Sequence, residues 1–195
     1  MDDCIIYDFE TLGNQYDGVV ISLAVLRFNE NNYALDPYNY DDLVEQTGFI
    51  KFNVEEQVKK YNRKIEQTTL KWWDQQTEQA KEQLKPSPSD ASISDLWNFM
   101  TEYTKGMNDI RRVYTRGNMF DPVLMEKLLY SCNKGVPYPW WNVRDTRSFL
   151  DGLLWGSDID NKFMPDGCAQ SFIHHDPRHD IALDVMRMQT VIRAL

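Results

Sequence analysis

Three stretches of this sequence carry residue types that handle metal ions and protons. The first is DFET at residues 8–11, in which Asp8 and Glu10 stand at i and i+2 after an apolar run. In a strand that spacing sends both side chains to one face, where two carboxylates can share hard divalent cations. Acidic residues at strand ends are common, so this pair alone assigns nothing. The second is Asp121 in GNMFDPVLMEKLL, opening a helical pattern with Pro122 in its first turn. Taken alone, Asp121 reads as a first-turn acid favoured by the helix dipole. At a strand-to-helix junction of an α/β sheet it also falls where ligands gather, at the carboxyl ends of strands. The third is SFIHHDPRHDIALDV, which holds all three histidines, His174, His175 and His179, together with Asp180 and Asp184. His175 and His179 stand four apart, but Pro177 between them leaves His175 in a loop and not on a helical turn with His179, and no cysteine is at hand, which argues against zinc. His175 lies in a loop ahead of Pro177, and Asp180 begins the terminal helix, so a mobile base stands near a fixed carboxylate. His179 with Asp184 repeats the same spacing but places the base on the helix. The first register is preferred, with Asp184 a supporting or surface residue.

The elements that must position these groups follow from hydrophobic period and punctuation. Residues 4–8 and the β-branched run 19–28 read as two strands of a hairpin, and 48–52 supplies a third. The Asn-, Asp- and Tyr-rich stretch 29–42 has a loop composition. Asn53 caps a helix through about 62, and Thr68 or Thr69 caps another that carries Leu70, Trp72 and Trp73. KPSPSD at 85–90 is the clearest break and reads as a loop within one domain covering 1–195. A helix over 92–103, a strand at 112–115, a helix at 121–132, another at 146–154 and a last from about 180 to 194 complete the pattern. The expected class is α/β, a central mixed β-sheet flanked by helices.

Size and composition bound the rest. The chain has 195 residues with 42% hydrophobic positions, enough for a sizeable core, and its three cysteines, Cys4, Cys132 and Cys168, form no CxxC pair. A mean hydropathy of -0.57 fits the absence of a membrane-spanning run. The opening MDDCIIYDFE is unlike a secretion leader, so a cytoplasmic protein is expected. A formal charge of -9 argues against a broad basic coat for long nucleic acid. It leaves room for an enzyme that holds a few phosphates through bound cations, which reverse the local field.

In order and spacing the three stretches resemble the DEDDh exonucleases of the DnaQ type. That family's Asp-x-Glu is matched by Asp8 and Glu10, its second aspartate by Asp121, and its His-x4-Asp by His175 and Asp180. The resemblance runs over nearly the whole chain. It is nearest the branch of phage exonuclease A and RNase T-like enzymes, by length, by the strand pair after DFET and by the Trp72-Trp73 pair. It implies an RNase H-like fold and a metal-dependent 3′–5′ exonuclease acting on single-stranded 3′ ends, DNA first and RNA as the alternative, including an oligoribonuclease, with release of 5′-mononucleotides. It implies two divalent ions, Mg²⁺ or Mn²⁺, held by Asp8, Glu10, Asp121 and Asp180, with His175 as general base. A phage-encoded enzyme would work in the host cytoplasm. Around this set, Phe9, Thr11, Leu12 and Trp73 are candidate substrate contacts: Phe9 and Leu12 against the terminal base or sugar, the Thr11 and Leu12 amides toward the 3′ end, and Trp72 or Trp73 in stacking. Each aromatic has a core reading beside it, as do Trp140 and Trp141. Arg111, Arg112 and Arg116 read as a basic patch near Asp121 or as solvated surface. The Met-Arg-Met segment at 186–188 reads as a homodimer face or as core. A reading of another class is a noncatalytic α/β module that binds a protein, which would have no need of all five catalytic positions.

Overall fold

The computed structural model describes residues 3–107 and 109–195, so the first two residues of the acidic opening lie outside the described residues. Strands β1 (Cys4–Thr11) and β2 (Val20–Phe28) pair antiparallel, and β3 (Gly48–Lys51) adds to β2 in the same sense. On the other side of β1, β4 (Arg112–Thr115) and then β5 (Val143–Asp145) run parallel to it, giving the order β3-β2-β1-β4-β5. Among the described residues the helices are α1 (Asn32–Leu35), α2 (Tyr40–Gln46), α3 (Val54–Tyr61), α4 (Gln67–Trp73), α5 (Glu78–Lys81), α6 (Leu96–Tyr103), α7 (Asp121–Ser131), α8 (Thr146–Leu153) and α9 (Pro177–Ala194).

The alternation of β1 decides which layer each residue meets. Ile5, Tyr7 and Phe9 join the core under α6 and α7, whereas Cys4 and Ile6 join the core formed with α1, α2, α8 and α9. Asp8 and Glu10 continue the second face past the point where its apolar residues end. A third cluster, Leu12, Val19, Ile21, Trp73 and Ala80, seals the end of the hairpin. The Pro-rich break at 85–90 is stitched to the sheet, since the Ala91 N–H donates to the Lys51 carbonyl at 2.7 Å and the Asn53 N–H to the Ala91 carbonyl at 2.8 Å.

Several local expectations need correction. The stretch 29–42 contains α1 and the start of α2, the latter capped by the Asn39 side chain, which accepts from Asp41 and Asp42 N–H. Helix α4 starts from Glu66 without a side-chain cap, and Thr69 is buried inside it. Helix α9 begins at Pro177, three residues before Asp180, because Asp176 caps it by accepting the Arg178 N–H and proline suits the first helical position. In the 186–188 segment Met188 is fully buried and Arg187 is 8% exposed, while Met186 is partly buried against the same core.

Candidate active site

Four carboxylates meet at the C-terminal end of β1. Asp8 and Glu10 project from the pleat toward α9, whose first turn carries Asp180. Asp121 arrives from the opposite layer at the start of α7 and is 5% exposed. Its Oδ1 accepts the Phe9 N–H at 3.2 Å, which docks the head of α7 onto β1 between the two acids. This is the side of β1 on which β4 runs parallel, while β2 lies on the other side, so the cluster sits where the chain direction divides in an open sheet. The Glu10, His175 and Asp180 side chains bring ligand atoms within 4.8 Å of one another.

Burial and mutual repulsion set the charge state of this cluster. Burial, then the neighbouring Asp121 and Glu10, pushes the Asp8 carboxyl well above the ordinary carboxylate range; burial and Asp180 do the same to Glu10. Burial raises Asp121 to about 7 against the pull of the Phe9 N–H, and burial with Asp184 and Asp176 raises Asp180 to about 7. Among the described residues none of these four acids makes a salt bridge. Oxygen donors crowded without a cation of the chain among them fit hard divalent cations, and an imidazole at the rim does not change that preference.

His175 lies before α9 with a left-handed backbone, φ 60°. Its ring meets the Trp72 ring edge to face, with centroids 4.6 Å apart, and burial lowers its pKa. His179 is placed differently. It is 8% exposed, and its Nδ1 is 2.8 Å from the Tyr40 hydroxyl. Asp184, one turn beyond Asp180, is 1% exposed; its Oδ1 accepts from Arg116 and Arg187, each at 2.8 Å, and its Oδ2 accepts from the Thr146 hydroxyl at 2.6 Å. It is thus no surface residue but the anion that joins the end of β4 and the start of α8 to α9. Asp184→Ala leaves two guanidinium groups without their carboxylate and is expected to cost on the order of 3 kcal/mol in urea unfolding. A loss below about 0.5 kcal/mol, the range of a surface change, would contradict this anchoring role.

The expected substrate contacts divide. Trp73 is fully buried and donates its Nε1–H to the Thr11 carbonyl at 3.0 Å, so it is core and the substrate expectation for it is corrected. Phe9 is also core, at 5% exposure, because it points to the face opposite Asp8 and Glu10. Leu12 is buried, and its N–H is taken by the Val19 carbonyl at 2.8 Å. Thr11 stays at the surface of a groove with Glu10, Asn14, Thr68 and Trp72, and Trp72 is 40% exposed. Of the expected arginine patch, Arg116 alone stands at the site end of the sheet. Arg111 pairs with Asp3 and Glu30, Arg112 with Glu30 at the far end of β4, and Arg116 with Asp184. Arg116 still lines the main cleft of about 660 Å³ that contains the four acids, and it is joined there by Arg147 and Lys162. Sequence reasoning missed the latter two. Arg147 lies two residues beyond the three-residue β5, too short a strand to stand out in the hydrophobic pattern.

A mixed sheet with acids at the head of its central strand defines an RNase H-like fold of the DnaQ-like 3′–5′ exonucleases. The family model described as the Rv2179c-like 3′–5′ exoribonuclease domain matches residues 3–181. A phage T4 exodeoxyribonuclease is 30% identical over 96% of this chain and 88% of its own length. Among solved structures, E. coli exonuclease I in a zinc-bound complex with single-stranded DNA superposes with a TM-score of 0.62 at 10% identity, over 97% of this chain and 40% of that one. Exonuclease I from Methylocaldum szegediense gives 0.59 at 16% identity, over 97% and 41%. The chain spans about 40% of the length of these two structures, and at such identities they show the fold. The chain belongs to the Rv2179c-like 3′–5′ exonuclease family and is a hydrolase of that class. Among its described residues no helix is long and apolar enough to cross a membrane.

Proposed function

We propose that residues 1–195 act as one exonuclease unit that removes 5′-mononucleotides from the 3′ end of single-stranded DNA. Asp8, Glu10, Asp121 and Asp180 hold two Mg²⁺ or Mn²⁺ ions in this reading, and His175 is the general base. The observation that carries it is the meeting of four carboxylates from three elements, none in a salt bridge among the described residues, with an imidazole near Glu10 and Asp180. Bound cations supply neutralisation of the phosphate and of the leaving oxygen. Water attacks the terminal phosphorus, the bond from phosphorus to the 3′ oxygen breaks, and the shortened strand keeps a 3′ hydroxyl. His175 accepts the proton of the attacking water; a pKa lowered by burial keeps its imidazole neutral, as a base must be, at neutral pH. Trp72 and Thr11 border the groove beside Glu10 and suit the terminal nucleotide, since stacking on an aromatic tolerates any base. Arg147 and Lys162 suit the phosphates that follow.

DNA is favoured by the 30% identity to a phage exodeoxyribonuclease; RNA is the second reading, favoured by the matching family's description. End-labelled DNA and RNA strands of equal sequence, each incubated with Mg²⁺ or Mn²⁺, separate the two. The expected result is a ladder shortening by single nucleotides from the 3′ end, faster on DNA and stopped by EDTA. Faster trimming of RNA would reverse the substrate assignment. Internal fragments, or unchanged turnover in EDTA, would overturn the site.

A further inference from the structure

Gln83 lies in a short 3-10 turn (Glu82–Leu84) that the catalytic reading leaves without a role. Ser22 stands directly opposite Glu10 in the β1–β2 ladder and is fully buried. Opposed residues of an antiparallel pair share a face, so Ser22 lies on the side of the sheet where Glu10 meets Asp180. Its hydroxyl donates to Gln83 Oε1 at 2.6 Å, and the other end of the same amide, Nε2, donates to the backbone carbonyl of His175. The chemistry fixes the orientation of the amide. A carbonyl only accepts, so the NH₂ group must face His175 and the oxygen must face the serine.

The residue being held is one that needs holding. His175 has a Cβ and a left-handed backbone at φ 60°, a conformation that is strained outside glycine. The Gln83 bond restrains that backbone while leaving the imidazole free to turn against Trp72.

We propose that Gln83 is a positioning residue, tying the His175 backbone to the strand beside Glu10 so that the imidazole keeps its distance from the carboxylates. The proposal rests on the reading of His175 as the base. Gln83 reaches His175 only through its carbonyl and sets where the base stands, not what it does. Because Ser22 is paired with Glu10 in the ladder, the bridge also fixes the separation between β1 and the segment just before α9, two elements that carry different members of the site.

The test is a double-mutant cycle. Gln83→Glu keeps the length and the acceptor for Ser22 but cannot donate to the His175 carbonyl; Gln83→Leu removes both bonds. In each, kcat on an end-labelled DNA strand is expected to fall about tenfold with KM within about twofold, because small displacements of a reacting group are costly. In a His175→Ala background the same changes should alter the residual rate by less than about twofold, since the group to be positioned is gone. Melting of each variant followed by circular dichroism checks the fold, and Gln83→Glu carries the comparison if Gln83→Leu folds poorly. Parental kcat in Gln83→Glu, or an equal fold loss in both backgrounds, would overturn the proposal. A parental rate in His175→Ala alone overturns the base assignment, and the positioning role falls with it.

Discussion

Asp8→Asn is expected to release no nucleotide above about a thousandth of the parental rate, and yet to melt at a higher temperature than the parent when both are stripped of divalent cations at pH 8. The two effects have one cause. Asp8 is pushed well above the ordinary carboxylate range by burial and by Asp121 and Glu10, so in the absence of cations an ionised Asp8 destabilises the fold. The sign follows from linkage. An acid whose folded pKa is raised contributes stability below its unfolded value, near 3.8 here, and loses it as pH rises through the folded value, about 7 for Asp121 and Asp180. Cation-free parent protein should therefore weaken steadily between pH 4 and 8, and Mg²⁺ or Mn²⁺ should raise its melting temperature more at pH 8 than at pH 5. Removing one charge should return on the order of 1–2 kcal/mol at pH 8, roughly 3–6 °C for a chain of this size. If Asp8→Asn is no more stable at pH 8 without cations, the repulsion argument fails. If it retains turnover, the metal-ligand assignment fails.

His175→Ala and His179→Ala are expected to part company. The first should lower kcat by about two to four orders of magnitude, the range of a general base, with little change in melting temperature. The second removes a buried ring that packs between Tyr40 and Phe172 and holds the Tyr40 hydroxyl, so it should cost about 1–3 kcal/mol of stability and leave most of the rate. Measured kcat and urea midpoints of the two variants decide the matter. Loss of turnover confined to His179→Ala would move the base to the other register.

The parts of the site legible in the sequence are those set by local rules. Strand alternation puts Asp8 and Glu10 on one face, Pro122 marks the first turn of α7 beneath Asp121, and a loop before Pro177 leaves His175 off the helix. The start of α9 was misplaced because Asp176, the cap, sits in a run of polar residues that hides it. Trp72 and Trp73 are adjacent and chemically alike; only the docking of α4 on Leu12, Val19 and Ile21 makes one core and the other groove. Arg111, Arg112 and Arg116 look alike in the chain, but a four-residue strand carries the first two away from the site end of the sheet and their charges are met by Asp3 and Glu30. Contacts between residues far apart, such as Arg116 with Asp184 or Gln83 with His175, depend on which elements become neighbours and leave no periodic trace.

The face of β1 that holds Cys4 and Ile6 against α9 is the same face that presents Asp8 and Glu10 to Asp180. Core and chemistry are thus written on one parity. A single-residue insertion between Cys4 and Asp8 would turn either the apolar pair or the acidic pair to the wrong layer, so folding and turnover fail together. An insertion of two residues keeps the parity but carries the acids about 7 Å along the strand, away from Asp121 and Asp180. Length change in this strand is therefore closed to the protein in a way that substitution is not, and new variants of the enzyme must arise by exchanging residues around an unbroken β1.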